Sequence, residues 1–118
     1  MSYFAVFLGG GIGSLLRFGL ARWAVAQGQA ALWGTLAANV LACALLGYLV
    51  FHPSRQADPL SVRLLLATGV CGGFSTFSTF SLEAVTLSQN GQSAAAVGYV
   101  GASVVLGLAA VGVWRWVG

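Results

Sequence analysis

Residues 33–51 are WGTLAANVLACALLGYLVF, and none of these side chains carries a charge. A membrane-spanning helix needs about 20 predominantly apolar residues. A helix also satisfies its own backbone hydrogen bonds, as lipid requires. Three similar apolar stretches flank this one, at about residues 2–26, 62–88 and 94–116. The sequence therefore predicts an all-α membrane protein, with four transmembrane helices forming a single domain over residues 1–118.

Composition supports lipid as the solvent of this chain. Hydrophobic residues make up 58% of the 118 residues and charged residues only 6%, whereas a soluble domain carries about a quarter charged residues. The net charge of +3 comes from five arginines, which are scattered along the chain rather than aligned. This distribution argues against a nucleic-acid surface.

The arginines give only a small orientation bias. Four spans put both termini and the loop 52–61 on one side of the membrane, together with Arg55, Arg63 and Arg115, against Arg22 on the other. Cytoplasmic loops carry an excess of positive residues. The bias mildly favours cytoplasmic termini and leaves insertion in both orientations open.

The third stretch is rich in residues that weaken a helix. Gly72 and Gly73 precede FSTFSTFS, residues 74–81, and glycine and hydroxyl side chains offer the backbone alternatives to helical bonding. Irregular backbone at membrane depth is tolerated only where protein or a watery cavity covers it. We expect a break near residues 72–76, covered by a partner subunit; the alternative is an unbroken polar helix face.

Uncharged polar and aromatic residues recur at membrane depth. Phe77 and Phe80 share a helix face, and their rings present positive edges that suit an anion. The amide of Asn39 lies in the middle of its span and needs a partner in lipid. With Asn39, the hydroxyl residues of two spans would form a polar track: Thr79, Tyr99 and Ser103. The alternative for each is helix packing.

Charged and thiol side chains within the spans allow several interpretations. Arg17 would either reach the interface or bind carbonyls at a helix end, and Glu83 would either pair with an arginine or face a vestibule. Cys43 and Cys71 lack metal-site spacing and fit buried thiols. One histidine and two acids, all near span ends or in loops, provide no acid–base machinery at depth, so we expect no enzyme.

Three motifs resemble those of the Fluc (CrcB-type) fluoride channels. Residues 9–18, GGGIGSLLRF, are similar to the family's GGxxGaxxRy. Residues 34–39, GTLAAN, are similar to GTlxxN in its second span. Residues 69–81, GVCGGFSTFSTFS, are similar to GxcGGlTTFSTFS in its third span. The third motif is highly specific, and the resemblance covers nearly the full chain.

The resemblance implies a fluoride channel that lets fluoride leave the cytoplasm passively and so relieves its toxicity. It implies a homodimer of oppositely inserted, antiparallel subunits (dual topology) in a prokaryotic inner membrane. The implied fluoride path is lined by Asn39, Phe77 and Phe80, with Tyr99 and Ser103. A structural sodium ion would be held at the dimer centre by the backbone carbonyls of Gly72 and Ser75.

Two other functions compete with this one. A small proton-coupled multidrug exporter also has four spans, but it needs a membrane-embedded glutamate in the first span, which this chain lacks. The second is a membrane subunit without transport activity. Flux measurements on the purified protein separate all three.

Overall fold

The first two apolar stretches contain no proline and fold into two long helices. In the computed structural model, which describes residues 1–117, α1 spans Ser2–Ala26 and α2 spans Ala31–Phe51. Gly28 adopts a φ of +80° just after α1, a conformation that favours glycine at helix C-termini. The two helices are therefore antiparallel neighbours joined by a tight turn.

The third apolar stretch forms two helices in sequence. Helix α3, residues 60–74, consists of an α-helical turn (Leu60–Arg63), a π-helical segment (Leu64–Cys71) and a final turn (Gly72–Phe74). Ser75 and Thr76 are extended, with ψ of 156° and 126°. Helix α4 then spans Phe77–Gln89.

The chain returns through Gly91, which has a φ of +78°, into α5 (Ser93–Gly112) and the short α6 (Trp114–Val117). Four segments are long and apolar enough to cross a membrane: Ser2–Ala26, Ala31–Phe51, Leu60–Gln89 and Ser93–Val117. Within residues 1–117 all regular structure is helical. The predicted all-α architecture with four potential spans is confirmed.

Glycines allow α1 to lie directly against α3. A β-carbon on Gly9 or Gly13 would overlap the backbone carbonyl of Leu65 or Val70. A β-carbon on Gly69 would come within 2.8 Å of the Gly9 α-carbon. Small residues permit such close approach of helices in lipid. This packing fixes the end of α3 against α1, next to α2.

Candidate functional site

Asn39 holds the extended backbone between α3 and α4. The Thr76 backbone N–H donates to Asn39 Oδ1 at 2.7 Å, and Asn39 Nδ2 donates to the Thr76 carbonyl at 3.2 Å. A primary amide carries both a donor and an acceptor, so a single side chain satisfies both backbone groups of one residue. The middle of α2 is thereby tied to the start of α4.

Arg17 binds the end of α3. Its Nε donates to the Gly73 carbonyl at 3.1 Å. The last carbonyls of a helix lack intrahelical partners and carry the negative end of its dipole, so a cationic donor is favourable there. Of the two interpretations of Arg17, carbonyl binding is the one found.

The side chain of Thr76 starts α4. Its Oγ1 accepts the Thr79 N–H at 3.2 Å, the usual role of a threonine at a helix N-cap. From this start Phe77 and Phe80 point to one side, with ring centroids 5.9 Å apart. The Phe80 ring also lies 5.2 Å from that of Tyr99 on α5. An aromatic row therefore runs from the interruption towards α5.

A cleft of about 290 Å³ opens beside this row. We call it the Asn39 cleft; the residues that line it are Asn39, Cys43, Ser75, Thr76, Phe77, Phe80, Ser103, Val104 and Gly107. All of them are uncharged. Within residues 1–117, the buried Ser103 Oγ has no hydrogen-bond partner, so the cleft offers a hydroxyl that is free to donate. Such a lining can bind a small anion without a fixed positive charge.

Glu83 lies on α4 and is held by two hydroxyl groups. Thr35 Oγ1 donates to Glu83 Oε2 at 3.1 Å, and Tyr99 Oη donates to Glu83 Oε1 at 2.9 Å. The ion pair found in residues 1–117 joins Arg55 and Asp58 at 2.8 Å. Glu83 therefore pairs with neutral donors from α2 and α5 rather than with an arginine.

The structure gathers most of the predicted path residues in one place. Asn39, Phe77, Phe80 and Ser103 line the Asn39 cleft. Tyr99 is only 6% exposed and contacts Phe80, but its hydroxyl is engaged by Glu83. Thr79 lies outside this lining, in the first turn of α4.

Two threonines that the sequence reasoning did not select also belong to the site. Thr35 binds Glu83, and Thr76 caps α4 while it is held by Asn39. A signal for Thr35 was available, because it lies four residues before Asn39 and so on the same face of α2. Thr76 had no such signal, since its role depends on which residue ends the preceding helix.

A second, smaller cleft of about 150 Å³ lies at the end of α3. We call it the Gly72 cleft; Gly72, Ser75, Cys43 and Cys71 are among the residues that line it. Both thiols are free. No group of three or more His, Cys, Asp or Glu side chains able to hold a metal lies within the described chain. The oxygens that this lining offers a cation are backbone carbonyls and the Ser75 hydroxyl.

Comparison with known proteins gives one consistent result. The family model described as "CrcB-like protein, Camphor Resistance (CrcB)" matches residues 4–115. A protein of Rhizobium etli named fluoride-specific ion channel FluC is 46% identical over 110 residues, covering 92% of this chain and 88% of its own. Relatives with the same name from Phocaeicola vulgatus and Chloroflexus aurantiacus are each 43% identical, and at least 95% of each chain is covered.

Proposed function

The chain belongs to the CrcB-like family, and from this membership we propose that it is a fluoride-specific ion channel. The relatives that carry this name match the chain over nearly their whole length. We further propose that fluoride passes through it passively and leaves the cytoplasm, which relieves fluoride toxicity. None of these relatives supports the multidrug exporter. The glutamate that such an exporter needs in its first span is also missing from α1 of this chain.

The observation that carries the proposal is the uncharged lining of the Asn39 cleft. Fluoride is small and strongly hydrated, so its transfer into lipid without compensation is very costly. The ring edges of the two phenylalanines, the Asn39 amide and the unpaired Ser103 hydroxyl would replace the water molecules around fluoride one after another. They lack the fixed charge that would trap the ion, and conduction requires sites weak enough to leave.

We assign the fluoride path to residues of α2, α4 and α5 around the interruption. The assignment rests on the shared cleft for most of them and on the contact with Phe80 for Tyr99. Thr79 is included as a hydroxyl residue in the first turn of α4, next to Phe80. The proposed path residues are Asn39, Phe77, Phe80, Thr79, Tyr99 and Ser103.

We propose that two copies of this four-helix domain form an antiparallel homodimer with dual topology. Phe77 is 79% exposed in the single chain, although it lies beside extended backbone that must be shielded from lipid. A second copy would cover this break at mid-membrane. We place the dimer in the inner membrane of a prokaryotic cell.

We propose a sodium ion at the dimer centre, held by the carbonyls of Gly72 and Ser75 from both copies. The residues fit such an ion. Gly72 is exposed, a β-carbon on it would meet nothing within 4 Å, and both residues line the Gly72 cleft. Four neutral oxygens suit a monovalent cation better than calcium, which takes six to eight. The ion would join two helix ends that otherwise repel each other.

Flux from liposomes tests the channel proposal directly. Purified protein is reconstituted into vesicles loaded with potassium fluoride, and an external fluoride electrode records efflux after valinomycin is added. We expect rapid efflux of fluoride and none of chloride from matched vesicles. Proton-dependent efflux of an organic cation would instead support the exporter, and absence of any flux the membrane subunit.

A further inference from the structure

Two backbone N–H groups at the interruption donate to side chains instead of to helical carbonyls. In a continuous α-helix the Thr76 N–H would bond to the Gly72 carbonyl, and the Thr79 N–H to the Ser75 carbonyl. Here the Thr76 N–H donates to Asn39 Oδ1 at 2.7 Å, and the Thr79 N–H to Thr76 Oγ1 at 3.2 Å. The helical partners of Gly72 and Ser75 are thus engaged elsewhere.

The carbonyls of the residues on either side of Gly72 do accept hydrogen bonds. Gly73 accepts from Arg17 Nε at 3.1 Å. Cys71 accepts from both the backbone N–H and the Oγ of Ser75, at 3.0 and 2.8 Å. The carbonyls of Cys71 and Gly73, on either side of Gly72, therefore accept hydrogen bonds. The Thr76 N–H, which would bond to the Gly72 carbonyl in a helix, donates to Asn39 instead.

We infer that Asn39 and Thr76 are positioning residues of the proposed sodium site. Their side-chain oxygens accept the N–H groups of Thr76 and Thr79. In a continuous helix these N–H groups would donate to the carbonyls that are the proposed sodium ligands. The inference rests on the proposed function for the identity of those ligands. The diversion of the two donors is a separate observation, made on hydrogen bonds alone.

The expected effect of removing either acceptor follows from backbone satisfaction. An N–H at membrane depth must find an acceptor. Without the Asn39 or Thr76 oxygen, the acceptors that a continuous helix would supply are the carbonyls of Gly72 and Ser75. Rewinding of residues 75–76 into helix would satisfy the N–H groups and consume the sodium ligands. Asn39 would thereby serve both the anion path and the cation site.

Thr76 offers a matched pair of variants. Thr76→Val keeps the shape but removes the acceptor, whereas Thr76→Ser keeps it. The measurement is thermal unfolding of the purified protein in detergent as sodium is titrated at constant ionic strength with N-methylglucamine. We expect Thr76→Val to raise the sodium concentration for half-maximal stabilisation about fivefold or more, the equivalent of losing an N-cap side chain. Thr76→Ser should stay near the unaltered protein.

Asn39 offers a second pair, which serves if Thr76→Val fails to fold. Asn39→Asp retains an acceptor for the Thr76 N–H, whereas Asn39→Leu has none. We expect Asn39→Asp to keep the sodium midpoint or lower it, because its charge favours a nearby cation, while the same charge cuts fluoride flux heavily. Asn39→Leu should raise the sodium concentration for half-maximal stabilisation and reduce fluoride flux as well.

The outcomes separate the inference from the channel proposal. Equal sodium midpoints within both pairs, or no stabilisation of the unaltered protein by sodium, would overturn the inference even if fluoride flux is normal. Absence of flux from the unaltered protein would overturn the channel proposal. The sodium midpoints would then still decide whether Asn39 and Thr76 position a cation site.

Discussion

At the residue scale, the most specific proposal is that the rings of Phe77 and Phe80 contact fluoride. Their rings lie 5.9 Å apart beside the Asn39 cleft. If the ring edges bind fluoride, Phe77→Ile or Phe80→Ile removes that contact while keeping an apolar side chain. We expect flux to fall at least about tenfold, equivalent to about 1.4 kcal/mol on the barrier. Fluoride efflux from liposomes measures it.

Phe7 supplies the control for these variants. It is 75% exposed on α1 and lies outside the lining of the Asn39 cleft. Phe7→Ile should leave efflux unchanged, and size-exclusion chromatography should show all three variants assembled alike. Near-normal efflux in both pore variants would show that Phe77 and Phe80 are packing residues.

The residues of the cleft were more predictable from the sequence than their hydrogen-bond partners. The middle position of Asn39 and the spacing of Phe77 and Phe80 follow from helical periodicity, which the sequence carries. The engagement of the Tyr99 hydroxyl by Glu83 does not, because it depends on how α4 and α5 face each other. Hydroxyl groups bind whichever acceptor tertiary packing brings within reach.

At the scale of elements, the contact between α1 and α3 depends on glycine. A β-carbon on Gly9 would overlap the backbone of Leu65, whereas one on Gly11 would meet nothing within 4 Å. We expect Gly9→Ala to destabilise the protein by about 1–3 kcal/mol, the usual cost of overpacking. Gly11→Ala should be neutral or stabilising, because alanine is the better helix former. Thermal unfolding monitored by tryptophan fluorescence compares them, and equal unfolding temperatures would contradict the packing.

The tie from α1 to the end of α3 makes a separate prediction. Arg17→Met removes the donor to the Gly73 carbonyl, a hydrogen bond from a charged group worth about 1.5–3 kcal/mol. We expect a clearly lower unfolding temperature. Arg22 on the same helix is exposed and lies over the Phe18 ring, so Arg22→Met should change it much less. A similar decrease of the unfolding temperature in both variants would instead indicate a general effect of removing a positive charge.

Element boundaries were predictable where composition changes abruptly. The loops after α1 and α4 contain the glycines with positive φ, Gly28 and Gly91, and their positions follow from turn chemistry. The π-helical segment Leu64–Cys71 was not predictable. Its apolar residues suit an α-helix equally well, and its hydrogen-bond spacing has no signature in hydropathy.

At the scale of the whole molecule, the proposed dual topology predicts accessibility from both sides of the membrane. The small arginine bias does not fix one orientation. A single cysteine appended to the C-terminus, in a background with Cys43→Ala and Cys71→Ala, should react with an impermeant maleimide partly from each side in inverted and right-side-out vesicles. Labelling from the cytoplasmic face alone would contradict dual topology.

The two side chains that tether the interruption have a bearing on biogenesis. Arg17 and Asn39 belong to α1 and α2, which are synthesised before residues 75–76. As the third span leaves the insertion machinery, the partners for its irregular backbone are already in the bilayer. The linear order of the helices thus means that the side chains which bind the interrupted backbone are made before the interruption itself.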